Sequence, residues 1–162
     1  MARYQSWDES YAMADAEAFL AAQRATEFGQ PGRWLQLAMV DRATGVVCGD
    51  CAVSVVADQP ATAAVGVTLA PGSQGRGLAT EALGAVVTAL FEHEGMHRVF
   101  AQVDDRNVAS RRLLERLGFR CEARLIEADW FKGSWVTLRV YAILAGEWPT
   151  GSGRDGEPLI GP

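Results

Sequence analysis

No run of 18 apolar residues occurs anywhere in this 162-residue chain, so no membrane-spanning helix is expected. The opening Met1 to Trp7 is polar and aromatic, unlike the apolar centre of a signal peptide, and a cytoplasmic location is the expectation. Positive charge is scarce as well: 15 Lys and Arg stand against 20 Asp and Glu, a net charge of −5. A surface that neutralises nucleic-acid phosphates needs the opposite balance, so neither a nucleic-acid nor a membrane partner is expected. The acidity suits a cationic acceptor such as an amine. Cysteines number three, an odd count that speaks against a disulfide framework. Cys48-Gly-Asp-Cys51 lies in a β-branched stretch with no helix start to acidify a thiol, and Cys121 alone cannot complete a four-cysteine zinc site. There are only two histidines, both in His93-Glu-Gly-Met-His97. That matches the His-Glu-x-x-His zinc-peptidase pattern, which needs one continuous helix; Gly95 interrupts it and no third histidine exists. No metal is expected.

What is present centres on Val65-Gly-Val-Thr-Leu-Ala-Pro-Gly-Ser-Gln-Gly-Arg-Gly-Leu-Ala-Thr-Glu-Ala82. A β-branched run breaks at Pro71-Gly72 and passes through Gln74-Gly75-Arg76-Gly77. A helix follows in which Leu78, Ala82, Leu83, Val86 and Leu90 recur at a period near 3.6. The first N–H groups of a helix lack intrahelical partners and carry the positive end of its dipole, so strand, glycine loop and helix together make an anion site. Gly75 and Gly77 allow close backbone approach to phosphate oxygens, and Arg76 can add charge. A P-loop would need Lys and Ser or Thr where Leu78-Ala79 stand, and a dinucleotide fingerprint would need a third glycine.

The rest of the chain reads as elements around that loop. A helix is expected from about Tyr11 to Thr26, strands over 34–40, 46–56 and 61–69, the loop helix to about His93, and a strand over 98–103. In Asp104-Asp-Arg-Asn107 through Gly118-Phe119, Asp105 or Asn107 caps a helix and Gly118 ends it, with Phe119 packing back on Leu114. Strands over 119–128 and 135–144 follow, joined by a turn at Trp130-Phe-Lys-Gly133. From Gly146 the Gly/Pro/Ser-rich tail has little apolar content, so residues 149–162 are expected to be flexible beyond a single domain of residues 1–148. The fold class is α+β, with a mixed, mostly antiparallel sheet and helices on both faces.

Two motifs narrow the identity. Gln74, Gly77 and Ala79 resemble the Gln/Arg-x-x-Gly-x-Gly/Ala signature of the GNAT superfamily of acyl-CoA N-acyltransferases, and Asn107-x-x-Ser110 with Gly118-Phe119 is similar to its second block. Phe131-Lys-Gly-Ser-Trp135 and Val140-Tyr-Ala142 look like the RimJ/RimL branch. The resemblance implies an N-acetyltransferase that uses acetyl-CoA, with no metal, on an amine-bearing small molecule or a peptide N-terminus. It implies coenzyme contacts from Val67, Thr68, Leu69, Gln74, Gly75, Arg76, Gly77, Leu78, Ala79, Thr80, Asn107 and Ser110. Ser110 matches the proposed acid of RimL-like enzymes, and Asp129 falls where they place a glutamate base. Glu122, Glu127 and Tyr141 are further candidates. A backbone N–H around Val67 to Leu69 is placed to polarise the thioester carbonyl.

The chain departs from the family pattern in three places. It starts at the segment resembling Arg3-Tyr-Gln-Ser-Trp7, so the first strand and helix of the pattern are expected to be absent, and a homodimer is one source of the missing sheet edge. Leu114 stands where the wider superfamily often has a Tyr acid, and Ala63-Ala64 where an acidic residue is common. These departures leave a catalytically silent acyl-CoA-binding domain as the alternative, and a nucleotide-binding module as a further one.

Overall fold

The computed structural model describes residues 12 to 149; expectations for Arg3 to Trp7, for the helix start at Tyr11 and for the tail from residue 150 lie outside them. The elements run α1 (Met13–Arg24), β1 (Trp34–Asp41), β2 (Val46–Val55), β3 (Thr62–Leu69), α2 (Leu78–Glu92), β4 (Arg98–Asp104), α3 (Val108–Arg116), β5 (Arg120–Phe131) and β6 (Ser134–Leu144). Short 3-10 turns cover Pro71–Ser73 and Ala145–Glu147. The six strands form one sheet in the order β1-β2-β3-β4-β6-β5. Only β3 and β4 pair in parallel, because α2 is the crossover between them. The architecture is the expected α+β one.

The period-2 pattern of the strands sorts their side chains onto two faces. Cys51, Val53, Ala63, Val65, Val99, Ala101, Tyr141 and Ile143 turn to one side and bury against Leu83, Val87 and Leu90 of α2 and Leu113 and Leu114 of α3. Each fully buried leucine or valine contributes about 1.5–3 kcal/mol by leaving water. On the other face, Phe19 of α1 shares a cavity with Trp34, Gln36, Ala52 and Ala64. Helix α1 also meets the outer edge of β1. Gln23 Nε2 donates to the Trp34 carbonyl at 3.2 Å and its Oε1 accepts from the Gln36 N–H at 2.7 Å, so one carboxamide stands in for a paired peptide.

Helix ends follow the sequence punctuation. Asn107 accepts from the Ser110 N–H at 3.2 Å, the N-cap geometry. At the other end of α3, Phe119 N–H donates to the Leu114 carbonyl and Gly118 N–H to that of Glu115, a Schellman closure with Gly118 at φ +87°. Helix α2 ends at Glu92, ahead of the second histidine of the His-Glu-x-x-His match, and His97 leads into β4.

The β5–β6 hairpin is longer than expected. Its turn is only Lys132-Gly133, both at positive φ (+46° and +80°), the type I′ arrangement. Trp130 and Trp135, assigned to the turn and to the strand start, pair across the strands edge to face at 5.4 Å and extend the ladder to Phe131 and Ser134. A bulge between Leu125 and Asp129 interrupts it, with Glu127 at φ +46°.

Gly49 of β2 faces Leu69, the end of the strand that carries the loop. A Cβ there would stand 2.1 Å from the Thr68 carbonyl oxygen, a backbone atom that cannot swing aside. Gly49→Ala should therefore force β2 and β3 apart and lower stability by about 3 kcal/mol in chemical unfolding. Gly146→Ala, which meets nothing within 4 Å, should change it little.

Candidate functional site

The site starts from a sheet defect. Strands β3 and β4 pair through only Thr62↔Arg98, Ala63↔Val99 and Ala64↔Phe100, after which both continue without pairing to each other. Thr62 C=O accepts from Val56 and Ala70 N–H donates to Cys48, so even-numbered residues of β3 turn their backbone groups toward β2. By alternation Val67 and Leu69 present theirs to the gap, beyond the last pair with β4. Leu69 C=O accepts from Gln74 Nε2 at 3.3 Å, which ties the glycine loop to the strand end.

Two grooves open from this gap. One, of about 640 Å³, is lined by Val67, Thr68, Leu69, Gln74, Gly75, Gly77, Ala79, Thr80, Asn107, Ala109, Ser110, Leu113 and Arg116. The other, of about 660 Å³, lies toward α1 and includes Phe19, Trp34, Gln36, Ala52, Gly66, Phe100 and Gln102. They share Val67, Asn107, Ser110 and Leu113. Two ligands lying one in each groove would meet at those four residues.

The first groove fits a phosphate-bearing ligand. Gly77 is the N-cap of α2 at φ +82°, a left-handed conformation suited to glycine, and it offers no capping side chain. Thr80 and Glu81 N–H groups bond back to the Gly77 carbonyl, but the N–H groups of residues 75 to 79 have no acceptor among the described residues. A run of unsatisfied amides at a helix start is an anion cradle.

Ten of the twelve sequence candidates for coenzyme contact line this groove, and two do not. Arg76 turns its guanidinium to Asp41 of the β1–β2 hairpin at 2.9 Å, and Leu78 turns to a separate apolar groove with Phe28, Leu37 and Ala82. Their backbone N–H groups remain in the cradle; their side chains do not. Asp41, held by the Ala43 N–H and the Arg76 guanidinium, lies below the usual carboxylate range. Sequence reasoning missed Ala109, Leu113 and Arg116. Leu113 and Arg116 follow Ser110 at three-residue steps, and Ala109 lies one turn before Leu113, a helical spacing that would have flagged them.

The two catalytic candidates are separated. Ser110 is half-buried at the junction of the grooves. Asp129 is exposed on β5 opposite Val136 and lines neither groove. Glu122 receives both Arg98 nitrogens and Arg120, which hold its carboxyl below the usual range. Tyr141 is buried, donates to Glu115 at 2.9 Å, and has its phenol pushed up chiefly by burial. Of the acids on the face of the second groove, Asp104 is bound by Arg106. Asp50, paired with Ala38 and Thr68 one step along β2 from Ala52, is half-buried, and burial pushes its carboxyl up. Cys51 is buried beside it, its thiol pushed up to about 12 by burial and the Asp50 charge, far from a reactive thiolate.

Comparisons with known proteins agree with this geometry. The model of the acetyltransferase (GNAT) domain matches residues 1–120. The uncharacterized N-acetyltransferase p20 of Bacillus licheniformis is 24% identical over 126 residues, 78% of this chain and 71% of the relative. The probable N-acetyltransferase YjcK of Bacillus subtilis strain 168 is 37% identical over 83 residues, 51% of this chain and 46% of the relative, so the match spans about half its length. The solved structure of Mycobacterium smegmatis RimJ in complex with CoA-disulfide aligns at a TM-score of 0.79 and 25% identity, over 93% of this chain and 73% of that one.

The Asp50 carboxyl gives a pH test. Its folded-state pKa lies above the unfolded value, so the folded state binds the extra proton and stability falls as pH rises through that window. Asp50→Asn should raise the thermal midpoint at pH 7. The gain should vanish below about pH 3.8, where the wild-type carboxyl is protonated in both states. A pH series of melting curves for the two proteins checks both signs.

Proposed function

The chain belongs to the GNAT acetyltransferase family, and from that premise we propose that it transfers the acetyl group of acetyl-CoA to a primary amine by direct attack within a ternary complex. The observation that carries this reading is the junction at Val67, Asn107, Ser110 and Leu113, where a groove with a phosphate cradle meets a second groove large enough for an acceptor. CoA-disulfide bound to the related RimJ supports the ligand of the first groove.

The reaction asks little of the protein beyond placement. The amine nitrogen bonds to the thioester carbon, the carbon–sulfur bond breaks, and the sulfur takes a proton. Val67, whose N–H faces the gap, is positioned to hold the carbonyl oxygen as it gains charge. Ser110, at the junction, relays to the sulfur through its hydroxyl the proton that the amine nitrogen loses as the amide forms, and so ends neutral. A terminal α-amine is roughly 15% neutral at pH 7 and a lysine amine less than about 0.1%, so a peptide N-terminus or a similarly weak base needs no strong general base. That suits a site in which Asp129 stands outside both grooves. A second copy along the outer edge of β1, where Gln23 covers only one peptide, completes the reading as a homodimer.

Acetyl-CoA at 100 times its dissociation constant should stabilise the folded chain by about 2.7 kcal/mol in thermal unfolding. Gly77→Asp should abolish the shift by straining a left-handed position and setting a carboxylate against the phosphates. In an acceptor screen of peptides and polyamines, Ser110→Ala should lower kcat at least about tenfold and leave acetyl-CoA affinity within about twofold. Binding without turnover on any amine would replace this reading with a silent acyl-CoA-binding domain. No thermal shift in well-folded protein would remove it.

A further inference from the structure

We propose that Arg116 recognises the 3′-phosphate of coenzyme A, which deepens the acetyltransferase reading and rests on it. Coenzyme A carries two separate anionic groups, the pyrophosphate and the phosphate on its ribose. The groove offers two separate sources of positive potential. The first is the run of amides from residues 75 to 79 at the start of α2, whose N–H groups have no acceptor among the described residues. Backbone amides and a helix dipole hold a pyrophosphate without help from a side chain. The second is a guanidinium, and Arg116 is the only cationic side chain among the residues lining this groove.

The other arginines nearby are engaged or face elsewhere. Arg76 is tied to Asp41. Arg111 donates to the Asp105 carbonyl and to Tyr141. Arg112 lines no part of the groove. Arg116 is exposed, and no hydrogen bond or ion pair of its side chain occurs among the described residues. An arginine in a last helical turn often serves the free carbonyls there. In α3 those of Leu113, Leu114 and Glu115 already accept from Leu117, Phe119 and Gly118. The helix end leaves this guanidinium no such task.

Its place along α3 fits the outer part of the coenzyme. Ser110, Leu113 and Arg116 follow one another at three-residue spacing on one stripe, and six residues of helix span about 9 Å. Ser110 and Leu113 border both grooves, whereas Arg116 borders only the first. The charge therefore lies away from the reacting end. A planar guanidinium can give two parallel hydrogen bonds to a terminal phosphate.

Titration calorimetry with coenzyme A and with 3′-dephospho-coenzyme A tests the assignment on the full chain. Wild type should bind coenzyme A at least about tenfold more tightly than the dephospho form. Arg116→Ala should erase that preference by weakening coenzyme A alone, Arg116→Lys should keep part of it, and Arg112→Ala should keep all of it. Equal weakening of both ligands by Arg116→Ala, an undiminished preference in that variant, or no preference in wild type would each overturn the proposal while the acetyltransferase reading stands. Failure of wild type to bind either ligand would overturn both. Residue 116 is exposed, and matched thermal midpoints would show that the variants fold alike.

Discussion

Three residue pairs hold β3 to β4, and both grooves exist because the pairing stops there. A strand in mid-sheet normally satisfies its backbone on both sides, since unpaired peptide groups away from water are costly. Beyond Val65, β3 pairs with β2 alone, and only the Gln74 carboxamide reaches its far side, at the Leu69 carbonyl. What its other side would have spent on β4 is left for a ligand lying in the gap. The helices on either side of β4 then place their first turns around that opening: α2 through the glycine loop after β3, and α3 through Asn107 after β4.

The charges are arranged so that this opening is held by neutral backbone rather than by side chains. Asp105 accepts from Arg139 and Arg124, which hold its carboxyl below the usual range, and Arg111 lies 3.6 Å away. Arg98 and Arg120 share Glu122, and Arg76 closes on Asp41. Such pairs at the surface add little stability individually. Their effect is to commit most of the nearby cations. A chain with a net charge of −5 can thus present a phosphate cradle whose potential comes from oriented amides, with one guanidinium farther along α3.

Much of the fold was legible in the sequence because it rests on short-range rules. Alternation in Val65 to Leu69 and Val136 to Ala142, the 3.6 period from Leu78 to Leu90, the Asn107 cap and the Gly118 stop each act within a turn or two of chain. The β5–β6 turn was misjudged because Trp130 reads locally as a turn residue, whereas its contact with Trp135 makes it the last pair of a ladder. The side chain of Arg76 is likewise settled by a distant partner. Its place inside the glycine loop suggested phosphate, and the carboxylate that captures its side chain lies 35 positions earlier, across a hairpin.

The sequence by itself determined the order of elements, the glycine loop with its free amides and the capped α3, since local conformational preference decides all of these. The tertiary structure decided which loop and helix residues face one another across the β3–β4 gap. It brought Ser110 to the shared junction and left Asp129 outside, turned Arg76 away and set Arg116 on the groove wall. The reason is that these relations depend on where strand pairing ends and where distant side chains meet, neither of which is encoded in any short stretch of the chain.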